Sequence, residues 1–308
     1  MTTIGRSRCL LPAVALLVLT TVEPAGADDR ASTLPVVAEY RYRMLAKVRP
    51  LLVWISRDNV GDGRITRRAD GAGALGFELL VGSDPARAPW RINRWGYLAE
   101  QGAGGRATAL GVMKQSNEQS IEEAEGRIAA ESGSGTHLFK AIRSTTADGR
   151  TSAAVTILHV QNDLTYRDVE SLLAMVRGSG NSPTRTVTLP AGIRPGFLLA
   201  VADLIHQSVE NRTPPATATG SGGVRYVYNG NLYTLRLRSL ESLATSRIGG
   251  RTFSDVVRGQ FETANEATGD RTRFEITYGA SGALAEVPIH IAYQPRWWFR
   301  VELFLTGV

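Results

Sequence analysis

The stretch that decides the fold is VRYVYNGNLYTLRLRSL, residues 224–240. An Asn-Gly pair at 229–230 separates two runs in which apolar and polar residues alternate, and this arrangement is the strongest short-range signal for a β-hairpin. In the second run Tyr233, Leu235 and Leu237 share one face, because successive side chains of a strand point to opposite sides. The stretch therefore predicts two antiparallel strands that cover one side of an apolar core.

Alternating runs continue on both sides of this hairpin. They are bounded by Gly, Pro, Asn or Asp, which is typical of short strands joined by tight turns. The sequence predicts a mainly β protein, an antiparallel twisted half-barrel or β-spiral meander. The clearest of these further runs are AEYRYRMLAKV (38–48), FSDVVRGQFETANE (253–266), RTRFEITYG (271–279), EVPIHIAYQ (286–294) and WWFRVELFL (297–305).

Two or three helices interrupt the strands. Apolar residues recur at helical intervals in 116–131, in 165–177 and from Pro195 to about residue 210. Thr165 and Asp168 have the spacing of a capping box at the start of the second helix. The glutamates of the first helix are expected on a solvated face. We expect the third helix to lie across the open face of the half-barrel.

The first 27 residues are expected to be a secretory signal peptide. Arg6 and Arg8 precede an apolar run that is short for a transmembrane helix, and Ala-Gly-Ala at 25–27 supplies a cleavage site. The alternative is a retained signal anchor, which Pro12 disfavours. The mature chain, residues 28–308, is then a periplasmic or secreted, non-transmembrane protein, one β-rich domain or two lobes that divide near 212–223, a stretch rich in Pro, Gly, Ser and Thr.

The residues that usually carry chemistry are sparse. Cys9 is the one cysteine in the sequence and lies within the predicted signal peptide, which excludes disulfides and thiolate chemistry in the mature chain. The four histidines are far apart, so no metal site is predicted. GAGALG at 71–76 fits a dinucleotide pattern, but a strand rather than a helix follows it. We expect no catalytic residue, no cofactor and, since the arginines are dispersed, no nucleic-acid partner.

A resemblance extends over residues 184–308. A Leu-Pro-Ala-Gly turn at 189–192 leads into an apolar helix, and hairpins follow that end in an aromatic final strand. This order resembles the exported bacterial β-spiral or half-barrel proteins of unknown function, which include an envelope-integrity family. The resemblance implies a curved sheet with a helix in its mouth, similar to periplasmic lipid or lipoprotein carriers, and it implies no catalytic residues.

The third helix supplies the first candidate site. Its apolar side either completes the core or lines a cleft for a lipid or acyl chain. Asp203 lies one turn before a histidine of this helix, so an Asp-His pair that faces a ligand is a further possibility. The candidate cleft residues are Phe197, Leu198, Val201, Leu204, Ile205 and His206.

The connection GSDPARAPWRINRW, residues 82–95, supplies the second candidate site, and we call it the docking loop. Arg87, Arg91 and Arg94 are expected to stack on Trp90 and Trp95. The loop is either an ordered corner held by its own aromatic side chains or a cationic, aromatic lip that contacts anionic headgroups or wall polymers. Its candidate surface residues are Arg87, Trp90, Arg91, Arg94 and Trp95.

Together these patterns predict an exported envelope protein that binds an apolar or amphiphilic molecule without catalysis. The partner is then a lipid or another envelope component. One alternative is a structural or interaction protein of the envelope that contacts another protein, and a second alternative is an unrecognised hydrolase, whose triad would be visible only in space.

Overall fold

The computed structural model describes residues 34–49, 53–114, 120–178, 184–211 and 223–308. The predicted signal peptide and nearly all of the predicted lobe boundary lie outside these residues. Within them are fourteen strands and three α-helices, which agrees with the predicted mainly β class. The elements are β1 (Val36–Val48), β2 (Ile55–Ala69), β3 (Leu75–Ser83), β4 (Trp95–Ala103), β5 (Arg106–Lys114), α1 (Ile121–Ser134), β6 (Thr136–Ala147), β7 (Arg150–Gln161), α2 (Val169–Gly178), β8 (Thr184–Thr188), α3 (Phe197–Asn211), β9 (Val224–Tyr228), β10 (Asn231–Ile248), β11 (Arg251–Asn265), β12 (Arg271–Gly279), β13 (Pro288–Arg296) and β14 (Phe299–Gly307).

All fourteen strands form one antiparallel sheet, in the order β8-β7-β6-β5-β4-β3-β2-β1-β14-β13-β12-β11-β10-β9. Two meanders, β1 to β8 and β9 to β14, are joined where the first strand pairs with the last. The sheet is open, since β8 and β9 form its two edges. The chain leaves one edge after β8 and enters the other at β9, and α3 lies in the connection between them.

The predicted hairpin at 229–230 is present. Asn229 and Gly230 both have positive φ angles, 50° and 67°, as a type I′ turn requires. Tyr228 pairs with Asn231 across the turn. Leu235 and Leu237 are buried, as predicted.

The three predicted helices are present, and the ends of the first helix, α1, differ from those predicted. Ser120 caps α1 by accepting a hydrogen bond from the Glu123 N–H, and residue 116, where the predicted helix begins, lies outside the described residues. Thr165 and Asp168 form the predicted capping box at the turn that leads into α2. These caps satisfy backbone N–H groups that have no partner within the helix.

The core consists of three clusters of buried side chains. One lies between α2 and strands of the first meander and contains Leu172 and Phe139. A second surrounds the junction of β1 with β14. The third lies between α3 and strands β9 to β12 and contains Ala200 and Leu235.

Helix α3 contacts strands from both meanders, β3 and β4 in the first and β9 and β10 in the second. In the strand order β4 and β9 are nine positions apart, which is about 43 Å in a flat sheet at about 4.8 Å per strand. A 15-residue helix is only about 22 Å long. The sheet therefore bends around α3, and the helix lies across the open face of a half-barrel as predicted.

Candidate ligand cleft

A cleft of about 1380 Å³ lies between α3, the sheet and the docking loop. Most of its lining is aliphatic or aromatic and comes from strands of both meanders. Val60 and Ile65 line it from β2, and Ile276 and Ile291 line it from β12 and β13. The strand residues that line it also include Tyr40, Met44, Phe77, Val81, Phe274, Val301 and Leu303.

Helix α3 forms one wall of this cleft. Phe197, Leu198, Val201, Ile205 and His206 line the cleft. Leu204, the sixth predicted residue, is buried in the core cluster beneath α3 and does not line the cleft. This placement follows from the helical period, because residues 197, 201 and 205 repeat every four positions along one face.

A buried glutamate of β4 holds the start of α3. Glu100, with 2% of its surface exposed, accepts hydrogen bonds from the backbone N–H groups of Phe197 (2.8 Å) and Leu199 (3.1 Å). Gly196 makes this approach possible, because a Cβ there would lie 2.2 Å from a Glu100 carboxylate oxygen. Burial raises the pKa of Glu100 to about 7, and the backbone hydrogen bonds offset only part of that rise.

A buried aspartate holds the docking loop. Asp84 receives hydrogen bonds from Arg87 Nε at 2.8 Å, Arg167 at 2.7 Å and the Ala86 N–H at 3.0 Å. Burial raises the pKa of Asp84, but these hydrogen bonds outweigh it and the net shift is downward. Arg87 also pairs with Asp62. Its guanidinium is therefore committed to two carboxylates, and the predicted stacking of Arg87 on a tryptophan is not the arrangement found.

The docking loop also contains strained backbone at the rim of the cleft. Trp90 and Arg91 have positive φ angles, 51° and 55°, which side chains with a Cβ seldom adopt. Trp90 is 57% exposed and lines the cleft, whereas Arg91 does not line it. Trp95 is buried, with its ring 4.8 Å from that of Phe139. Trp95 thus belongs to the wall of the cleft and is not an exposed docking residue.

A charged group lies where α1 meets the cleft. Lys114, which lines the cleft together with Arg94, pairs with Glu131 of α1 and with His137 Nδ1 at 2.7 Å. Arg94 lies 3.5 Å from the same carboxylate. Burial lowers the pKa of Lys114 to about 8. Glu131 is therefore partly buried and paired, and the expectation of a solvated face was wrong for this glutamate.

His206 does not form the Asp-His pair that the sequence suggested. His206 Nδ1 lies 2.6 Å from Glu286, and Nε2 lies 3.2 Å from Glu210. Asp203 pairs with Arg194 instead. The hydrogen bond with Glu286 raises the pKa of His206. This exposed histidine therefore forms ion pairs between α3 and the segment before β13.

Two kinds of site are absent from the residues that the structure describes. No group of three or more His, Cys, Asp or Glu side chains in this part of the chain is arranged to hold a metal ion. None of the helices that the structure describes has the length and apolar character needed to cross a membrane.

Neither a protein-family model nor a curated protein matches the chain. Among solved structures, the chain resembles a β-barrel-like protein of the domain of unknown function DUF1849 from Brucella abortus, with 9% identity over 87% of this chain and 96% of that one and a TM-score of 0.39. A DUF1329 family protein from Desulfovibrio piger is similar at 7% identity over 91% and 87%, with a TM-score of 0.18. At these TM-scores neither resemblance assigns a function to this chain.

Proposed function

We propose that this protein is an exported, non-catalytic binding protein that holds an apolar or amphiphilic molecule of the cell envelope, such as a lipid with an acyl chain, in the cleft beside α3. The observation that carries the proposal is the size of the cleft and its apolar lining. Its volume of about 1380 Å³ exceeds the range of about 300–1,000 Å³ that is usual for small-molecule sites. A cleft of this size has room for an extended hydrocarbon chain.

The positions of the walls support this proposal. An acyl chain would lie along Phe197, Val201 and Ile205, which share one face of α3. A polar head would lie at Arg94 and Lys114, two of the charged side chains in the cleft lining. Burial of hydrocarbon in such a site is favourable by about 25 cal/mol per Å². An amphiphile would therefore gain from both ends of the cleft.

A fluorescent fatty acid that carries a dansyl group tests the site directly. The purified protein should enhance its fluorescence in a saturable titration. Val201→Trp should weaken binding at least tenfold, because the larger ring occupies the space between α3 and the sheet. Leu204→Met is the matched control, since Leu204 lies one turn away in the core and a swap of similar volume is well tolerated.

Two results would contradict the proposal. One is an absence of saturable binding by the wild-type protein, and the other is equal affinity of the wild-type and Val201→Trp proteins. Capture of a stable envelope protein by a wild-type chain that binds no lipid would instead favour a structural or interaction role.

A further inference from the structure

The connection between β1 and β2 and the turn between β13 and β14 lie side by side at one end of the sheet. Val48, near the end of β1, pairs with Ile55 of β2 on one side and with Phe299 of β14 on the other. The Arg49 N–H donates a hydrogen bond to the Trp298 carbonyl at 2.8 Å. The described residues on either side of the β1–β2 connection therefore lie next to the β13–β14 turn. Residues 50–52 lie outside the described residues.

This end of the sheet exposes large apolar side chains, which we call the apolar tip. Their exposed fractions are unusual for such residues, and neighbouring exposed apolar side chains indicate an interaction surface. In contrast, the adjacent Trp298 is buried and lines the cleft. The apolar tip consists of Val53 (70% exposed), Trp54 (37%), Ile55 (60%) and Trp297 (61%).

The flanks of the apolar tip are cationic. Residues 47–49, 53–57 and 294–300 contain five Lys or Arg side chains and no Asp or Glu. The Arg49 guanidinium lies 5.9 Å from the centre of the Trp54 ring. The five cations are Lys47, Arg49, Arg57, Arg296 and Arg300.

Even with Arg296 left out, the flanking cations outnumber the nearest carboxylates. Lys47 and Arg300 each lie 2.7 Å from Glu302, so two cations share one carboxylate. Asp58, the first acid after the tip in β2, pairs with Arg43. A surplus of positive charge thus surrounds the exposed tryptophans.

We propose that the apolar tip docks on the surface of a lipid bilayer that contains anionic headgroups. Tryptophan suits this boundary because its ring is apolar and its N–H is polar. The aliphatic side chains enter the edge of the hydrocarbon, and the flanking cations contact lipid phosphates at about 1 kcal/mol for each cation near the surface. The combination of apolar surface and surplus positive charge specifies an anionic bilayer rather than an uncharged one.

The cleft extends to this same end of the sheet. Val48, Trp298 and Phe299 belong to the strands and turn that carry the apolar tip, and all three line the cleft. Docking at the tip therefore places this end of the cleft next to the bilayer. Docking at the apolar tip does not require a bound ligand. The vesicle experiment and the fatty-acid titration can therefore fail separately.

Sedimentation with vesicles tests the docking proposal. The purified protein should bind vesicles of phosphatidylglycerol and phosphatidylethanolamine, and bind vesicles of phosphatidylcholine at least tenfold more weakly. Added salt should reduce binding because it screens the phosphates. The double variant Trp54→Ser/Trp297→Ser should lose at least tenfold in affinity for the anionic vesicles. Leu138→Ser/Ile157→Ser is the matched control, since these two side chains are exposed on β6 and β7 and neither lines the cleft, and it should bind as the wild type does. Trp90→Ser tests the docking loop as an alternative site of membrane contact.

Three outcomes would overturn the proposal. The first is that the wild type does not bind anionic vesicles, and the second is that the double variant binds them with wild-type affinity. The third is that Trp90→Ser loses binding while the double variant keeps it, which would assign membrane contact to the docking loop. Substitutions of exposed side chains usually change stability by less than about 0.5 kcal/mol, and circular dichroism checks the fold. Should the double variant not fold, quenching of tryptophan fluorescence in the Trp90→Ser protein by brominated anionic lipids decides, because Trp95 and Trp298 are buried and the exposed tryptophans that remain belong to the apolar tip. Quenching supports docking by the tip and its absence contradicts it.

Discussion

Two buried carboxylates anchor the two walls of the cleft, and they do so in different ways. Asp84 holds the docking loop with hydrogen bonds from two arginines and one backbone N–H. Glu100 holds the start of α3 with hydrogen bonds from backbone N–H groups. The pKa of Asp84 is lowered, whereas burial raises the pKa of Glu100 to about 7.

The difference shows what a buried carboxylate requires in order to stay ionised. Desolvation disfavours the charged form of both groups and is greater at Glu100, which is the more deeply buried; in addition, Asp84 has two guanidinium partners whereas Glu100 has hydrogen bonds from backbone N–H groups. The anchor of the docking loop therefore keeps its charge at neutral pH. The anchor of α3 changes its protonation near neutral pH, so of these two anchors it is the one that should respond to pH in that range.

The largest predicted effect concerns Glu100 and pH. The pKa of Glu100 is raised from 4.5 to about 7 in the folded protein. Its stabilising contribution to the free energy of unfolding is therefore complete below pH 4.5 and is lost as pH rises through 7. At 1.36 kcal/mol per pKa unit, the loss is about 3 kcal/mol. Urea unfolding of the wild type and of Glu100→Gln at pH 4.5, 6 and 8 measures it, because the glutamine does not titrate.

The free energy of unfolding of the wild type, relative to that of Glu100→Gln, should fall by about 3 kcal/mol between pH 4.5 and pH 8. All other titrating groups are common to both proteins and cancel in the difference. A difference that stays constant with pH would show that folding does not raise the pKa of Glu100, and the contrast with Asp84 would then disappear.

The next largest effect concerns Asp84. Asp84→Asn removes the charge that both arginines contact in a buried position, and we expect a loss of about 2 kcal/mol in the free energy of unfolding at pH 7. Asp58→Asn is the matched control, because Asp58 is about half exposed and pairs with Arg43, and surface pairs contribute about 0–1 kcal/mol. Equal losses in the two variants would contradict the anchoring role of Asp84.

The smallest predicted effect concerns the strained backbone that Asp84 helps to hold. Trp90 has a φ angle of 51°, which glycine adopts without strain. Trp90→Gly should therefore be more stable than Trp90→Ala by about 1 kcal/mol, although glycine is usually the less favourable residue. Thermal unfolding of the two variants gives the comparison, and a more stable alanine variant would mean that the loop does not hold this residue in the left-handed region.

Local rules were sufficient to predict much of the fold. The turn at 229–230, the capping box at Thr165 and the apolar face of α3 each depend on residues that are close in the sequence. Each was therefore predictable from spacing and residue type. The placement of α3 across the sheet also follows, because an apolar helix between strands must cover an apolar face.

The anchors of the cleft were not predictable in the same way. Successive side chains of β4 point to opposite sides of the sheet. Trp95 and Tyr97 are buried in one core cluster. The alternation therefore assigns Glu100 to the other face of the sheet, away from that cluster. That face is covered by α3, which is about 100 residues later in the sequence. Glu131 of α1 was likewise missed, because its partner Lys114 belongs to another element.

The Arg87 side chain shows the same limit. Its neighbours in the sequence suggested an arginine available to stack on tryptophan, but Asp62 and Asp84 hold its guanidinium. At the apolar tip, by contrast, cations outnumber carboxylates. Whether an arginine serves the fold or a partner is thus decided by acids that are distant in the sequence.

The central claim is that the cleft holds an apolar or amphiphilic molecule. Mass spectrometry of an organic extract of the purified wild-type protein, compared with an extract of the Val201→Trp protein prepared in parallel, tests it most directly. The predicted result is a lipid class that co-purifies with the wild type at close to one molecule per chain and is strongly reduced in the variant. A wild-type extract without lipid, or the same lipid content in both proteins, would contradict the claim.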